Sequence, residues 1–93
     1  MTVVGIKRLD EFSSKHSDAS GAIQSWLAEV RDASWRTPHD VKQRFVAASV
    51  LPENRVVFNL RGNRYRLEVS IAYQTGVVVV RRIGTHAEYD KWK

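Results

Sequence analysis

The sequence predicts a small α+β domain, with helices first and strands last. Three observations predict it: apolar residues recur every three or four positions up to about residue 45, they alternate from residue 56 onward, and 93 residues hold one modest core. Hydrophobic residues make up 43% of the chain, too many for a disordered segment. We expect one domain over residues 1–93, in β-α-α-β-β-β order, with an N-terminal strand and two helices packed on one face of an antiparallel sheet.

Val3, Val4 and Ile6 suggest a short strand that ends at Lys7 and Arg8. Leu9 and Phe12 then form the inner side of a brief helix ending near Lys15 and His16. From Ser17 or Asp18, either suited to an N-cap, the stripe Ala19, Ala22, Ile23, Trp26, Leu27, Val30 and Ala33 marks an amphipathic helix of about four turns. Gln24, Glu29 and Arg31 lie on its wet side. Residues 34–54 are long for a structureless loop. Thr37 as cap, Pro38 at the first helical position and Asp40 near the start predict a short helix at about 38–45, with His39 exposed on it.

After residue 55 the period becomes two. Val56, Phe58 and Leu60 alternate with Val57 and Asn59, Gly62 and Asn63 mark a hairpin, and Tyr65, Leu67, Val69, Ile71 and Tyr73 alternate with Arg64, Arg66, Glu68 and Ser70. A two-residue turn sets Arg61 against Arg64, Asn59 against Arg66, Leu60 against Tyr65 and Phe58 against Leu67. One face is then apolar and the other collects three arginines. Phe58, Tyr65 and Leu67 should meet Ile23, Trp26 and Leu27 in the core, leaving the other face for a partner. Four valines, 77–80, open a third strand without setting its register: a turn at Thr75 and Gly76 sends Arg81 to the basic face and Arg82 inward, and a loop one residue longer does the reverse. Thr85 to Lys91 forms a turn or a single helical turn beside the arginines.

Charge divides the chain. Residues 1–54 hold seven Lys/Arg against seven Asp/Glu, and residues 55–93 hold eight against three, so the whole excess of +5 lies in the second part. Such a field favours polyanions, although solvated strand faces alone would also carry it. With no cysteine, and with His16, His39 and His86 scattered, neither a metal nor another cofactor is expected. No run reaches the roughly 18 apolar residues of a membrane span, and the first residues are unlike a signal peptide, so the cytoplasm is the expected compartment. Neither a Gly-x-Ser-x-Gly elbow nor a phosphate-cradling glycine loop occurs.

Metal-free RNA cleavage requires a proton acceptor for the 2′-hydroxyl, a proton donor for the leaving oxygen, and cations around the phosphate. His86 suits either proton role, and Tyr89 can donate or stack. Arg61, Arg64, Arg66 and Arg81 offer paired donors to phosphates, and Trp92 a further stacking surface. The same residues serve a non-catalytic nucleic-acid binder equally well. His86 bonding a carbonyl, Tyr89 pinning the tail and arginines wetting a strand face is the plainer reading.

The ordered set Arg55-Val56-Val57-Phe58-Asn59, Gly62-Asn63-Arg64-Tyr65-Arg66-Leu67 and Gly84-Thr85-His86-Ala87-Glu88-Tyr89-Asp90 resembles the HigB toxins of type II toxin–antitoxin systems. Phe12, His16 and Asp18, then Trp35 through Pro38, Asp40 and Lys42, extend the likeness over nearly the whole chain. The resemblance implies a RelE-like fold and an mRNA interferase, an endoribonuclease acting on messenger RNA at the ribosome and thereby inhibiting translation. It also implies a HigA-type antitoxin, a helix-turn-helix protein, as partner. It carries Arg64, Arg66, Arg81, His86 and Tyr89 over as functional positions, with His86 foremost for proton transfer. Taken with the residue chemistry, we expect His86, Tyr89, Arg81 and Arg66 in catalysis, and Asn59, Arg61, Asn63, Arg64, Arg82, Lys91 and Trp92 in RNA binding. The family pattern has an aromatic residue after Arg81, whereas this chain has Arg82, which either reaches a partner such as Glu68 from the core side or faces outward to a phosphate. A RelE/ParE-fold toxin that binds a protein target, and a plain RNA-binding module, are the competing readings.

Overall fold

The computed structural model describes residues 1–92. Strands β1 (Thr2–Val4), β2 (Ser49–Leu51), β3 (Arg55–Leu60), β4 (Tyr65–Ala72) and β5 (Val77–Thr85) form one sheet in the order β1-β5-β4-β3-β2. Helices α1 (Ile6–Lys15), α2 (Ser20–Asp32) and α3 (Pro38–Arg44) precede β2, and α4 (His86–Asp90) follows β5. The α+β layering is as expected, with two corrections to the sheet. It is mixed, because β1 pairs with β5 in parallel from Thr2↔Val77 to Val4↔Val79. The intervening helical layer supplies the crossover that a parallel neighbour requires. It also has an edge strand absent from the predicted order, since β2 pairs antiparallel with β3.

Local chemistry explains the helices. Gly5 joins β1 to α1 with φ +96, and a Cβ there would sit 3.1 Å from both the Cβ and the carbonyl oxygen of Val80. Only glycine lets this turn lie so close to β5. A 3-10 turn, Ser17–Ala19, separates α1 from α2, and no side chain caps α2. Neither Ser17 nor Asp18 is therefore its N-cap, and the Asp18 carboxylate is taken up elsewhere. Ile23, Trp26, Leu27 and Val30 form the buried stripe of α2, while Ala33 lies just past its end. Thr37 and Asp40 close a capping box on α3 with Pro38 in its first turn, an arrangement that contributes about 1 kcal/mol.

All six residues expected in the core are buried. Phe58 gathers the rings of Phe45 at 5.0 Å, Trp26 at 5.5 Å and Trp35 at 6.2 Å between centroids. Full burial of one such side chain contributes about 1.5–3 kcal/mol. The helices thus cover the sheet face that carries Phe58, Leu60, Tyr65, Leu67, Val69, Val78 and Val80.

The hairpin keeps the expected register, with Phe58↔Leu67, Asn59↔Arg66 and Leu60↔Tyr65. Its turn spans 61–64, and Arg61 takes a left-handed φ of 50. Arg61 and Arg64 thereby leave the strand alternation, so the expected face of three arginines does not form. On the other side of β4, a bulge separates Glu68↔Arg82 from Val69↔Val80 and leaves Arg81 unpaired. This answers the register question with a third solution. Val80 and Ile83 both face the helices, and Arg82 lies on the opposite face beside Glu68. Among the described residues no helix is long and apolar enough to cross a membrane.

Candidate functional site

Alternation along β4 puts Arg66 and Glu68 on the face away from the helices, with Asn59 opposite one and Arg82 opposite the other. Arg66 is only 9% exposed. Its Nη1 donates to the carbonyls of Asn63 at 2.9 Å and Tyr65 at 3.4 Å, and its guanidinium carbon lies 5.3 Å from the centroid of Tyr89. Among the described residues no carboxylate pairs with it. A guanidinium is a permanent cation, so this one is nearly buried with its charge uncompensated.

Arg82 is treated differently. Its Nε and Nη2 donate to Glu68 Oε1 at 3.2 and 3.0 Å, and its guanidinium lies 4.4 Å from the Trp92 ring centroid. Glu68, 5% exposed, also faces Arg55 Nη1 at 3.6 Å. The carboxylate fixes Arg82 in place while leaving its side chain 41% exposed.

A capping box and a bare strand hold α4 in position. Glu88 N–H donates to Thr85 Oγ1 at 3.2 Å, and Thr85 N–H donates to Glu88 Oε1 at 2.8 Å. That second bond is the main cause holding the Glu88 carboxyl below its ordinary range, aided by the Thr85 hydroxyl and the charges of His16 and Lys91. A Cβ on Gly84 would lie 3.0 Å from Trp92 Cζ2 and 3.2 Å from the Glu88 side chain. Tyr89 and Trp92 meet edge to face at 5.5 Å. A five-residue helix cannot persist alone in water, so cap and seat give it its order.

The structure therefore brings together Arg66, Arg82, Tyr89 and Trp92. Asn59 joins them through its pairing with Arg66, and its Nδ2 lies 3.5 Å from Asn63 Oδ1. His86 begins α4 with its side chain 53% exposed and Nδ1 3.5 Å from Asp90 Oδ2. Arg81 is exposed at the bulge, and Lys91 is exposed at the end of α4. Arg61 and Arg64 are turned the other way. Both pair with Asp18 Oδ2, Arg64 at 3.1 Å, and Tyr65 Oη donates to Asp18 Oδ1 at 2.5 Å. The phenol bond chiefly lowers the Asp18 carboxyl, and the same bond raises the Tyr65 phenol. Sequence reasoning overlooks Asp18 in this role because Asp before a helical stripe reads as a cap. Glu68 carried a usable signal, a lone carboxylate in a strand between arginines.

The model of a family described as HigB_toxin, the RelE-like toxic component of a toxin–antitoxin system, matches residues 19–92, more than half of the chain. The chain belongs to the HigB toxin family. No curated protein sequence matches it significantly. The toxin is thus one component of a pair whose other member is an antitoxin, and the matched span includes Arg66, Arg82 and the whole of α4.

Proposed function

We propose that the toxin is a metal-independent endoribonuclease that cuts messenger RNA on the translating ribosome, in the cytoplasm, and so inhibits translation and growth. The observation that carries this reading is Arg66, a nearly buried guanidinium held against Tyr89 with no carboxylate partner among the described residues. Burying a cation without an anion is unfavourable, and a phosphodiester supplies that anion.

Arg66 and Arg81 hold the non-bridging oxygens of the scissile phosphate. The 2′-oxygen bonds to phosphorus as its proton passes to a base, and the bond to the 5′-oxygen breaks as that oxygen gains a proton. The products are a 2′,3′-cyclic phosphate and a 5′-hydroxyl. His86 and Tyr89, three residues apart on α4, are the two proton carriers. Trp92, Arg82, Asn59, Asn63 and Lys91 bind flanking nucleotides. Arg61 and Arg64 act through Asp18 by holding the hairpin that carries Arg66. A HigA-type helix-turn-helix antitoxin silences the toxin by covering this face or by preventing it from docking.

Cations are plentiful at this face and proton carriers few, so substrate alignment must supply much of the rate. Alignment can lower a barrier by roughly 7–11 kcal/mol, and the ribosome is the aligning surface. The test is primer extension on a reporter mRNA in a reconstituted translation reaction, using wild-type protein, His86→Ala, and wild-type protein without ribosomes. New 5′ ends inside the reading frame, dependent on ribosomes and lost in the variant, are the expected result. Absence of new ends in every lane, with toxicity retained by His86→Ala, would replace the enzyme with a toxin that binds a protein target.

A further inference from the structure

We propose a second RNA subsite in the groove between α1 and the end of β5, where the toxin holds the phosphodiester and base of a nucleotide flanking the cut. The proposal rests on the ribonuclease reading and extends its substrate path beyond the open face.

The groove follows from the topology. Strand β1 ends at the Val4↔Val79 pair, so the remainder of β5 has no strand on that side, and α1 packs against β5 instead. The space left between them is about 280 Å³, near the lower end of ligand-site volumes. Arg8, Lys15 and His16 come to it from α1, and Arg82, Ile83 and Glu88 from the chain's last segment.

Its chemistry suits a nucleotide better than a neutral ligand. Arg8, Lys15 and Arg82 are cations, set against the carboxylates of Glu11 and Glu88. Glu88 already accepts the Thr85 N–H, and Arg8 and Lys15 are exposed with no ion-pair partner among the described residues. The His16 ring stacks on Phe12, with centroids 4.4 Å apart and planes 27° apart, which gives a base a flat surface beside the cations. Arg82 decides the connection. It lines this groove and also lies over Trp92 on the open face. A single strand leaving the Tyr89 and Trp92 rings thus crosses the β5 edge into the groove without passing an uncharged surface.

The test is fluorescence anisotropy with two 2′-O-methyl RNA oligonucleotides, which lack the attacking hydroxyl and are not cut. One spans the open face alone and the other extends it by several nucleotides on each side. Wild-type toxin should bind the longer one about tenfold more tightly or better. The double variant Arg8→Ala, Lys15→Ala should lose that gain, bind the short one as before, and show a salt slope shallower by about 0.7 for each phosphate contact removed. His16→Ala should lose roughly fivefold or more on the long oligonucleotide alone, at the low end of base stacking. Circular dichroism checks that these changes, at exposed Arg8 and Lys15 and at half-buried His16, leave the fold intact. Equal binding of both oligonucleotides by wild-type toxin overturns the subsite alone, as does a double variant that keeps the gain. If that variant instead loses affinity for a poly-glutamate peptide, the groove is a protein-binding surface. Wild-type toxin that binds neither oligonucleotide overturns the subsite, while the ribonuclease reading stands or falls separately on the primer-extension result.

Discussion

Arg64 and Arg66 are separated by one residue, yet their guanidinium groups meet opposite circumstances. Arg64, with Arg61, shares the Asp18 carboxylate beside the helical layer, and Tyr65 Oη completes the ring of donors. Arg66 has two backbone carbonyls and the Tyr89 ring, and no carboxylate among the described residues. One face of the hairpin's tip is electrostatically closed and the other is open. Counting basic residues therefore locates charge without showing which cations are available to a ligand, and it is the pairing that separates holding from binding.

The sharpest way to break the contrast is to remove the open cation. Arg66→Ala should reduce single-turnover cleavage of ribosome-bound mRNA by about 10²–10³-fold, the usual effect of losing one aimed donor. Arg66→Lys should recover only part of it, since an ammonium lacks the planar fork. Gly84→Ala tests the seat instead of the cation. Its Cβ would meet Trp92 Cζ2 at 3.0 Å, so α4 must shift, and cleavage should fall roughly ten- to a hundredfold while hydrogen exchange in α4 accelerates.

Glu68→Gln asks whether Arg82 needs its carboxylate. Glu68 is 5% exposed, but Arg82 and Arg55 are 41% and 35% exposed, so solvent screening holds the expected cost to about 1 kcal/mol in urea unfolding. The closed face should report through pH. The Asp18 carboxyl is lowered from 3.8, so its contribution is present above that value and is lost as pH falls through the lowered one. The Tyr65 phenol is raised from 10.0, so its contribution is present below that value and is lost as pH rises through the raised one. Asp18→Asn should flatten both limbs of a plot of melting temperature against pH. The smallest effect is expected from Arg61→Ala, which should change cleavage by less than about twofold, as an ordinary surface substitution does. A large loss there would erase the distinction between the two faces.

Periodicity disclosed most of this architecture. The stripe of α2, the capping box of α3 and the pairing Phe58↔Leu67 were all readable, because apolar spacing and turn residues act locally. Strand β2 was not, since three residues with Val50 43% exposed make no alternation. The parallel partner of β1 depends on a crossover that no local pattern encodes. For the candidate site, Arg66, Tyr89, Arg82 and Trp92 were readable as residue types, and the fold sets them side by side. The diversion of Arg61 and Arg64 to Asp18 was hidden, because it turns on one non-glycine residue with φ of 50.

Side chains along a strand alternate like a wave of period two, and Arg81 is a half-period step in its phase. Up to Val80 the even-numbered residues face the helices, and from Ile83 the odd-numbered ones do. Without that step the same residues would send Arg82 into the core and Ile83 out to the basic face. What β5 presents to a partner is therefore written in a residue count as much as in residue types. Deleting one of the two arginines between Val80 and Ile83 would remove the step, keep both of those apolar residues on the helical side by plain alternation, and leave a single arginine where two now stand.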